Sequence, residues 1–212
     1  MMLSVVTCVA LGYLSGSLPW GLWLGRWFRG IDIRTVGSGN LGATNVYRTL
    51  GPKLGIATLI LDMLKGTLPV WWIPRLPIAS AFPGGVENCA LAVGFAAVAG
   101  HIWTFLAGFK GGKGVATSAG VLLALAPAAF AVFAAVFVAT LAITHYVSLG
   151  SVLGAVAFTI ALAFTARGGV ATPTFVFGFL VAALVIVRHR DNLRRLARGE
   201  ERRFSFRKRA ES

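Results

Sequence analysis

Acidic side chains are nearly missing. Asp32, Asp62, Glu87, Asp191, Glu200, Glu201 and Glu211 are the only seven in 212 residues, against twenty Lys and Arg, for a formal charge of +13. No group of carboxylates is clustered to hold magnesium, which excludes a magnesium-dependent phosphotransferase. Cysteine is as scarce. Cys8 and Cys89 lie in apolar segments without metal-binding spacing and read as small apolar fillers. No His and Cys cluster suggests zinc. A His-x4-Asp dyad is also absent, because the fifth residue after His101 is Leu106, after His145 Gly150 and after His189 Arg194. No metal and no cofactor is expected.

Charge of either sign is missing altogether from Gly114 to Ala166, a run of 53 residues. The chain is 57% hydrophobic and 13% charged, where soluble domains carry about 25% charged residues. A helix needs roughly 20 apolar residues to span the hydrocarbon layer, so that run crosses more than once. The first apolar stretch, Met1 to Gly25, lacks a preceding basic segment and is followed by Arg26 and Arg29. It reads as a retained helix and not as a cleaved signal.

Apolar segments fall at 2–25, 54–74, 88–107, 115–144, 147–166 and 170–187. Short cytoplasmic loops concentrate Lys and Arg. Loop 26–53 holds Arg26, Arg29, Arg34, Arg48 and Lys53. Loop 108–114 holds Lys110 and Lys113, and ten more basic residues lie between Arg188 and Arg209. If all three regions share one side, the chain crosses an even number of times between Lys113 and Arg188. Three apolar segments lie there. The count becomes even if 115–144, about 45 Å long as a single helix, is a hairpin turning at Pro127. The expectation is an all-α polytopic protein of seven transmembrane helices, N-terminus outside and C-terminus cytoplasmic, with helices four and five short. It forms one membrane domain over 1–201 and a basic tail over 202–212 that rests on the anionic leaflet.

The polar residues gather into four clusters. Gly37-Ser38-Gly39-Asn40-Leu41-Gly42-Ala43-Thr44-Asn45-Val46-Tyr47-Arg48 matches the literal G-x-G-x-x-G pattern but has no βαβ unit around it. Its physics still suits an oxyanion. Glycines allow close backbone N–H approach, Ser38, Asn40, Thr44 and Asn45 add donors, and Arg48 can clamp phosphate. Lys110-Gly111-Gly112-Lys113-Gly114, with Thr117 and Ser118 after it, fails the Walker A pattern yet opens a helix, whose N-terminus attracts anions. Ser148 and Ser151 open another helix. Arg188-His189-Arg190-Asp191-Asn192 leads on to Glu201, with His189 and Asn192 three apart on one helical face. Asp62 and Lys65, also three apart, read as a self-neutralising pair within a span.

These clusters, in this order, resemble the bacterial acyl-phosphate:glycerol-3-phosphate acyltransferases, the PlsY family. Residues 30–48 resemble its first motif, Asp62 and Lys65-Gly66 fit the helix after it, Gly100-His101 through Thr117 resemble the second, and 189–201 the third. The resemblance covers about 12–201, with Ile102 and Thr104 standing where the family usually has a polar residue and a proline. It implies transfer of a long acyl chain from acyl phosphate to the 1-hydroxyl of sn-glycerol 3-phosphate. The products are lysophosphatidic acid and phosphate, in phospholipid biosynthesis at the bacterial inner membrane, with the site facing the cytoplasm. The expected partners are those two substrates and the lipid bilayer, with no nucleic acid.

On this reading Ser38, Arg48, Lys113, His189 and Asn192 carry catalysis. Gly37, Gly39, Asn40, Gly42, Thr44, Asn45, Lys110, Gly112, Thr117, Ser148, Ser151, Arg190 and Glu201 bind substrate. The glycine-rich loop with Ser38 and Asn40 takes the acyl phosphate, and Arg48, Lys113, Ser148 or Ser151, His189 and Asn192 take glycerol 3-phosphate. The proton of the attacking hydroxyl goes either to His189 or to a substrate phosphate. A transporter of phosphate esters is the other function considered, but it needs sites near the midplane and discontinuous repeated segments.

Overall fold

The structure, a computed structural model, describes residues 1–166 and 169–205. Arg167 and the basic residues Arg207, Lys208 and Arg209 lie outside the described residues. Every regular element among those described is helical. Helix α1 (Met2–Gly16) and α2 (Trp20–Arg29) are separated at Ser17–Pro19, where proline has no N–H to continue the ladder. Gly30, at φ 63°, ends α2 in the left-handed conformation. Then follow α3 (Ala43–Leu50), α4 (Pro52–Trp72), α5 (Gly85–Ile102), α6 (Val115–Leu125), α7 (Pro127–Thr144), α8 (Val147–Thr165), α9 (Pro173–Arg188) and α10 (Arg190–Ala197).

Five helical segments among the described residues are long and apolar enough to cross a membrane: Met2–Arg29, Pro52–Arg75, Gly85–Ala107, Pro127–Thr144 and Val147–Thr165. A sixth, α9 with α10, is bent by 52°. Large apolar side chains face outward along these segments, among them Ile60, Leu68, Ile143 and Phe164. Such an apolar girdle suits lipid and not water. Helix α5 runs through the middle, and its Val93 and Val98 pack with Val121, Phe158, Phe177 and Val181 in the main core.

The break expected at Pro127 is present, between Leu125 and Pro127. Both ends of the intervening run return to one place. Lys113, just before α6, donates to Asn192 Oδ1, and Ser148, in the first turn of α8, donates 2.8 Å to Glu201 Oε1. Glu201 Oε1 also accepts from Asn192 Nδ2 at 2.6 Å. So α6 leads away from this cluster and α7 leads back. The expectation that both helices are short is corrected. Only α6 is short, at 11 residues; α7 has 18 and is long enough to span. The unequal arms arise because Pro127 lies closer to Gly114 than to His145.

Glycines set the closest helix approaches. A Cβ on Gly16 would lie 1.9 Å from Ala97 O, joining α1 to α5, and one on Gly66 would lie 2.3 Å from Thr117 O, joining α4 to α6. Small residues permit such backbone contact where no hydrophobic force drives helices together in lipid. Gly16→Val is expected to destabilise the bundle by about 2 kcal/mol or more, because the obstacle is backbone and cannot rotate away. A thermal-shift measurement in detergent checks this, and an unchanged Tm would contradict it.

Candidate active site

The glycine-rich loop is built around Asn45. Its amide Nδ2 donates to Ile33 O at 3.2 Å, Val36 O at 3.1 Å and Asn40 O at 3.0 Å, while Oδ1 accepts from Ser38 N at 2.8 Å. Gly37 and Gly39 take positive φ, 65° and 69°. At Gly37 a Cβ would also strike Asn45 Oδ1 at 2.2 Å. Asn40 Oδ1 accepts from Gly42 N at 2.8 Å and so caps the approach to α3. Asn45 is thus the frame of the loop, with its amide fully engaged, and not a free donor as its sequence position suggested. Gly39 N–H is likewise taken by Val36 O at 3.0 Å. The N–H groups of Asn40 and Leu41 find no acceptor among the described residues. Ser38 is exposed at the loop surface, and Thr44 is half-buried in the first turn of α3.

Helices α8 and α10 meet at Glu201, whose side chain is 6% exposed, and two further segments join through their partners. Its Oε1 accepts from Ser148 and Asn192, and Oε2 accepts from Arg195 Nε at 2.9 Å. Asn192 is the one buried residue of α10, and it extends the network to Lys113. Arg188 Nη2 donates to Gly112 O at 3.3 Å, fixing the loop ahead of Lys113. His189 Nδ1 lies 2.8 Å from Val185 O. A carbonyl only accepts, so Nδ1 carries the hydrogen and Nε2 is the acceptor nitrogen of the neutral ring. Arg48 reaches this group from α3 by donating 2.9 Å to Arg202 O.

Burial governs the charges here. It lowers the Lys113 ammonium to about 8, with Arg195, Arg188 and Arg48 pushing the same way and Glu201 opposing. Burial and the nearby Lys113 take His189 to about 4. Burial alone would raise Glu201, but hydrogen bonds from Asn192, Ser148 and Arg195 outweigh it and hold the carboxyl below its usual range. One buried anion is therefore ringed by Lys113, Arg195, Arg188 and Arg48, an excess of cations that suits a further anion.

The structure brings together Arg48, Lys113, Ser148, His189, Asn192 and Glu201, with Gly112 at the edge. It leaves others apart. Ser151 donates back to Val147 O at 2.8 Å within α8. Thr117 is fully buried in α6 where Gly66 approaches its carbonyl. Lys110 is exposed, and Arg190, 70% exposed, faces Asp191 at 4.0 Å. Arg188 and Arg195 are site residues that the sequence reading placed only in a general basic cluster. Their spacing from Asn192, at i−4 and i+3, was the available signal. Residues just beyond Glu201 also contact the bundle. Phe204 stacks at a tilt on Tyr47 with centroids 4.7 Å apart, its N–H donates 2.6 Å to His145 O, and Arg203 lies over Tyr146.

The sequence profile described as glycerol-3-phosphate acyltransferase matches residues 6–199. The chain belongs to that family. A glycerol-3-phosphate acyltransferase of Desulforudis audaxviator is 47% identical over 206 residues, covering 97% of this chain and 98% of the relative. One from Geobacter sulfurreducens is 46% identical, covering 96% and 99%. Among solved structures, the glycerol 3-phosphate form of PlsY (YgiH), an integral membrane glycerol 3-phosphate acyltransferase, superposes with a TM-score of 0.83 at 36% identity over 95% of this chain and 96% of that one. Its lysophosphatidic acid form gives 0.81 at 35%.

The position of Lys113 yields a test in this family member independent of turnover. Sulfate keeps its charge across the neutral range, so any pH dependence of its binding reports the protein. Lys113 is cationic below about 8 and neutral above it. Sulfate affinity, measured by calorimetry in detergent, is expected to fall about tenfold between about pH 7 and pH 9, and the dependence should vanish in Lys113→Arg, which stays charged. A flat profile in the unaltered protein would contradict the assignment.

Proposed function

We propose that this chain transfers a long acyl group from acyl phosphate to the 1-hydroxyl of sn-glycerol 3-phosphate, releasing lysophosphatidic acid and inorganic phosphate. The observation that carries the reading is the convergence of Ser148, Asn192 and Arg195 on the Glu201 carboxylate, with Lys113 held on Asn192 and with Arg48 and His189 beside them. The relatives' names supply the reaction class, and no feature favours transport.

Two phosphates must share one pocket. Arg48, Lys113, Ser148 and Asn192 hold the phosphate of glycerol 3-phosphate, with Glu201 orienting the donors until it arrives, and His189, whose neutral ring offers Nε2 as an acceptor, receives a hydroxyl of the glycerol. The loop of Gly37, Ser38, Gly39, Asn40, Gly42 and Thr44, framed by Asn45, holds the acyl phosphate. The unpaired N–H groups of Asn40 and Leu41 point to the oxyanion of the tetrahedral intermediate, a role in which backbone donors need no reorganisation. The hydroxyl oxygen attacks the acyl carbon, the bond from that carbon to the phosphate oxygen breaks, and the phosphate leaves already activated. For the proton, a His189 near 4 is a weaker base than a phosphate monoester, whose second pKa is about 6. A substrate phosphate oxygen therefore takes it, and His189 serves to orient.

We further infer seven crossings, N-terminus outside, C-terminus and site cytoplasmic, at the bacterial inner membrane, with α6 the short fourth crossing. The excess of Lys and Arg in loops 26–53 and 108–114 and in the segment after Arg188 supports this orientation. A membrane-impermeant label on a cysteine placed beside Pro127 is expected to react from outside; reaction only from the cytoplasmic side would reverse the hairpin. The reaction itself is tested by phosphate release from detergent-purified protein given acyl phosphate and glycerol 3-phosphate. Release dependent on both substrates is expected, with Lys113→Met slower by roughly a hundredfold or more. His189→Gln should keep measurable turnover at saturating substrate, and its complete loss would make the imidazole the base.

A further inference from the structure

Three buried ionisable groups take no part in the reaction just described. Asp62, Lys65 and His101 are 2%, 5% and 5% exposed. Lys65 Nζ lies 2.8 Å from Asp62 Oδ1, and His101 Nδ1 lies 3.8 Å from the same oxygen. Ionisable groups inside a membrane bundle are costly and are retained for a task. The adjoining cavity, lined by Pro19, Trp20, Leu41, Thr104 and Gly112 beside these three, measures only about 10 Å³. That is one water at most, so no substrate enters.

What the cluster touches indicates the task. Lys65 Nζ donates 2.7 Å to Leu18 O, in the break between α1 and α2. Leu22 N–H bonds to Pro19 O, and the Leu18 carbonyl also accepts from Trp20 N–H at 3.1 Å, so Lys65 shares it with the backbone of the break. Ser15 Oγ returns a bond of 3.0 Å to Lys65 O, and Thr104 donates to Ser17 O. Beyond the break, Gly21 sits so close to Leu41 that a Cβ would lie 2.0 Å from Leu41 O. The break thus sets the height of the glycine-rich loop. On the other side, a Cβ on Gly112 would lie 2.1 Å from His101 Nε2. Gly112 N–H donates 3.1 Å to His101 O, and Gly111 N–H 3.0 Å to Ile102 O. Lys113 follows directly.

We propose that Asp62, Lys65 and His101 are positioning residues, a common floor that fixes the Gly37–Gly42 loop and Lys113 relative to one another. The inference rests on the acyl-transfer reading, in which those two loops hold the two substrates. A self-neutralising pair needed only for stability would not have to reach the α1–α2 break on one side and the Gly-Gly turn on the other. Buried ion pairs add little net stability over apolar residues of like volume, whereas a misplacement of about 1 Å between reactants can cost a hundredfold in rate.

The test is steady-state phosphate release by the full chain in detergent, with unfolding followed in parallel. Asp62→Leu/Lys65→Met removes both charges together and keeps the volume. It is expected to fold and to lower kcat at least tenfold per folded molecule, with KM for each substrate within threefold. His101→Asn, which leaves the ion pair intact, should lower kcat in the same way and decides the matter if the double variant does not fold. A lowered Tm with unchanged kcat would make the cluster merely structural and overturn the proposal, as would a rise in KM with kcat unchanged. Activity in the unaltered chain with full activity in the variants sinks this inference alone; an unaltered chain that releases no phosphate sinks the acyl-transfer reading and the inference with it.

Discussion

Glu201 accepts from Ser148, Asn192 and Arg195 at once, and that shared acceptor holds the polar end of the bundle together. Ser148 and Asn192 alone would be buried donors without this acceptor, which costs about 1–3 kcal/mol per group, while the more exposed Arg195 adds its charge. With the carboxylate present, α8, α10 and the segment after Arg198 are drawn to one point, and Lys113 joins through Asn192. The arrangement also explains how so many cations coexist. Burial already lowers Lys113 to about 8 in the presence of this anion; without it the ring of Arg48, Arg188 and Arg195 would repel Lys113 further. A phosphate group, bringing more negative charge to the same donors, meets a site already arranged for an anion.

Much of this was legible in the sequence because it depends on local chemistry. Pro127 in a charge-free run marked the reversal, since proline cannot donate to the preceding turn and sits readily at the first position of a new helix. The four polar clusters stood out against an apolar background, and four of them contribute to one end of the molecule. Asp62 and Lys65 paired as their spacing on one helical face required.

Other features depend on contacts between distant segments, for which residue types give little signal. Asn45 looked like any other donor in its motif, yet it frames the loop because four groups over Ile33–Asn40 turn toward it. Thr117 and Ser151 carry hydroxyls suited to a ligand, but the first is fully buried where α6 packs on α4, and the second bonds its own helix. The approach of His101 Nδ1 to within 3.8 Å of Asp62 Oδ1 spans 39 positions and brings α5 against α4, and nothing local to either residue announces it. Phe204, in the basic stretch after Glu201, lies on Tyr47, a contact that the surrounding charges do not announce.

The order of the chain has a consequence for how the site is held. Glu201 follows every helix among the described residues, so the acceptor that α8 and α10 share lies in the short segment beyond them. Loss of that segment would leave all of these helices in the chain and still leave Lys113 and Asn192 with only each other. The bundle and the organisation of its pocket are thus separable: the helices do not need Glu201 to exist, but the ring of cations needs it to be held in order.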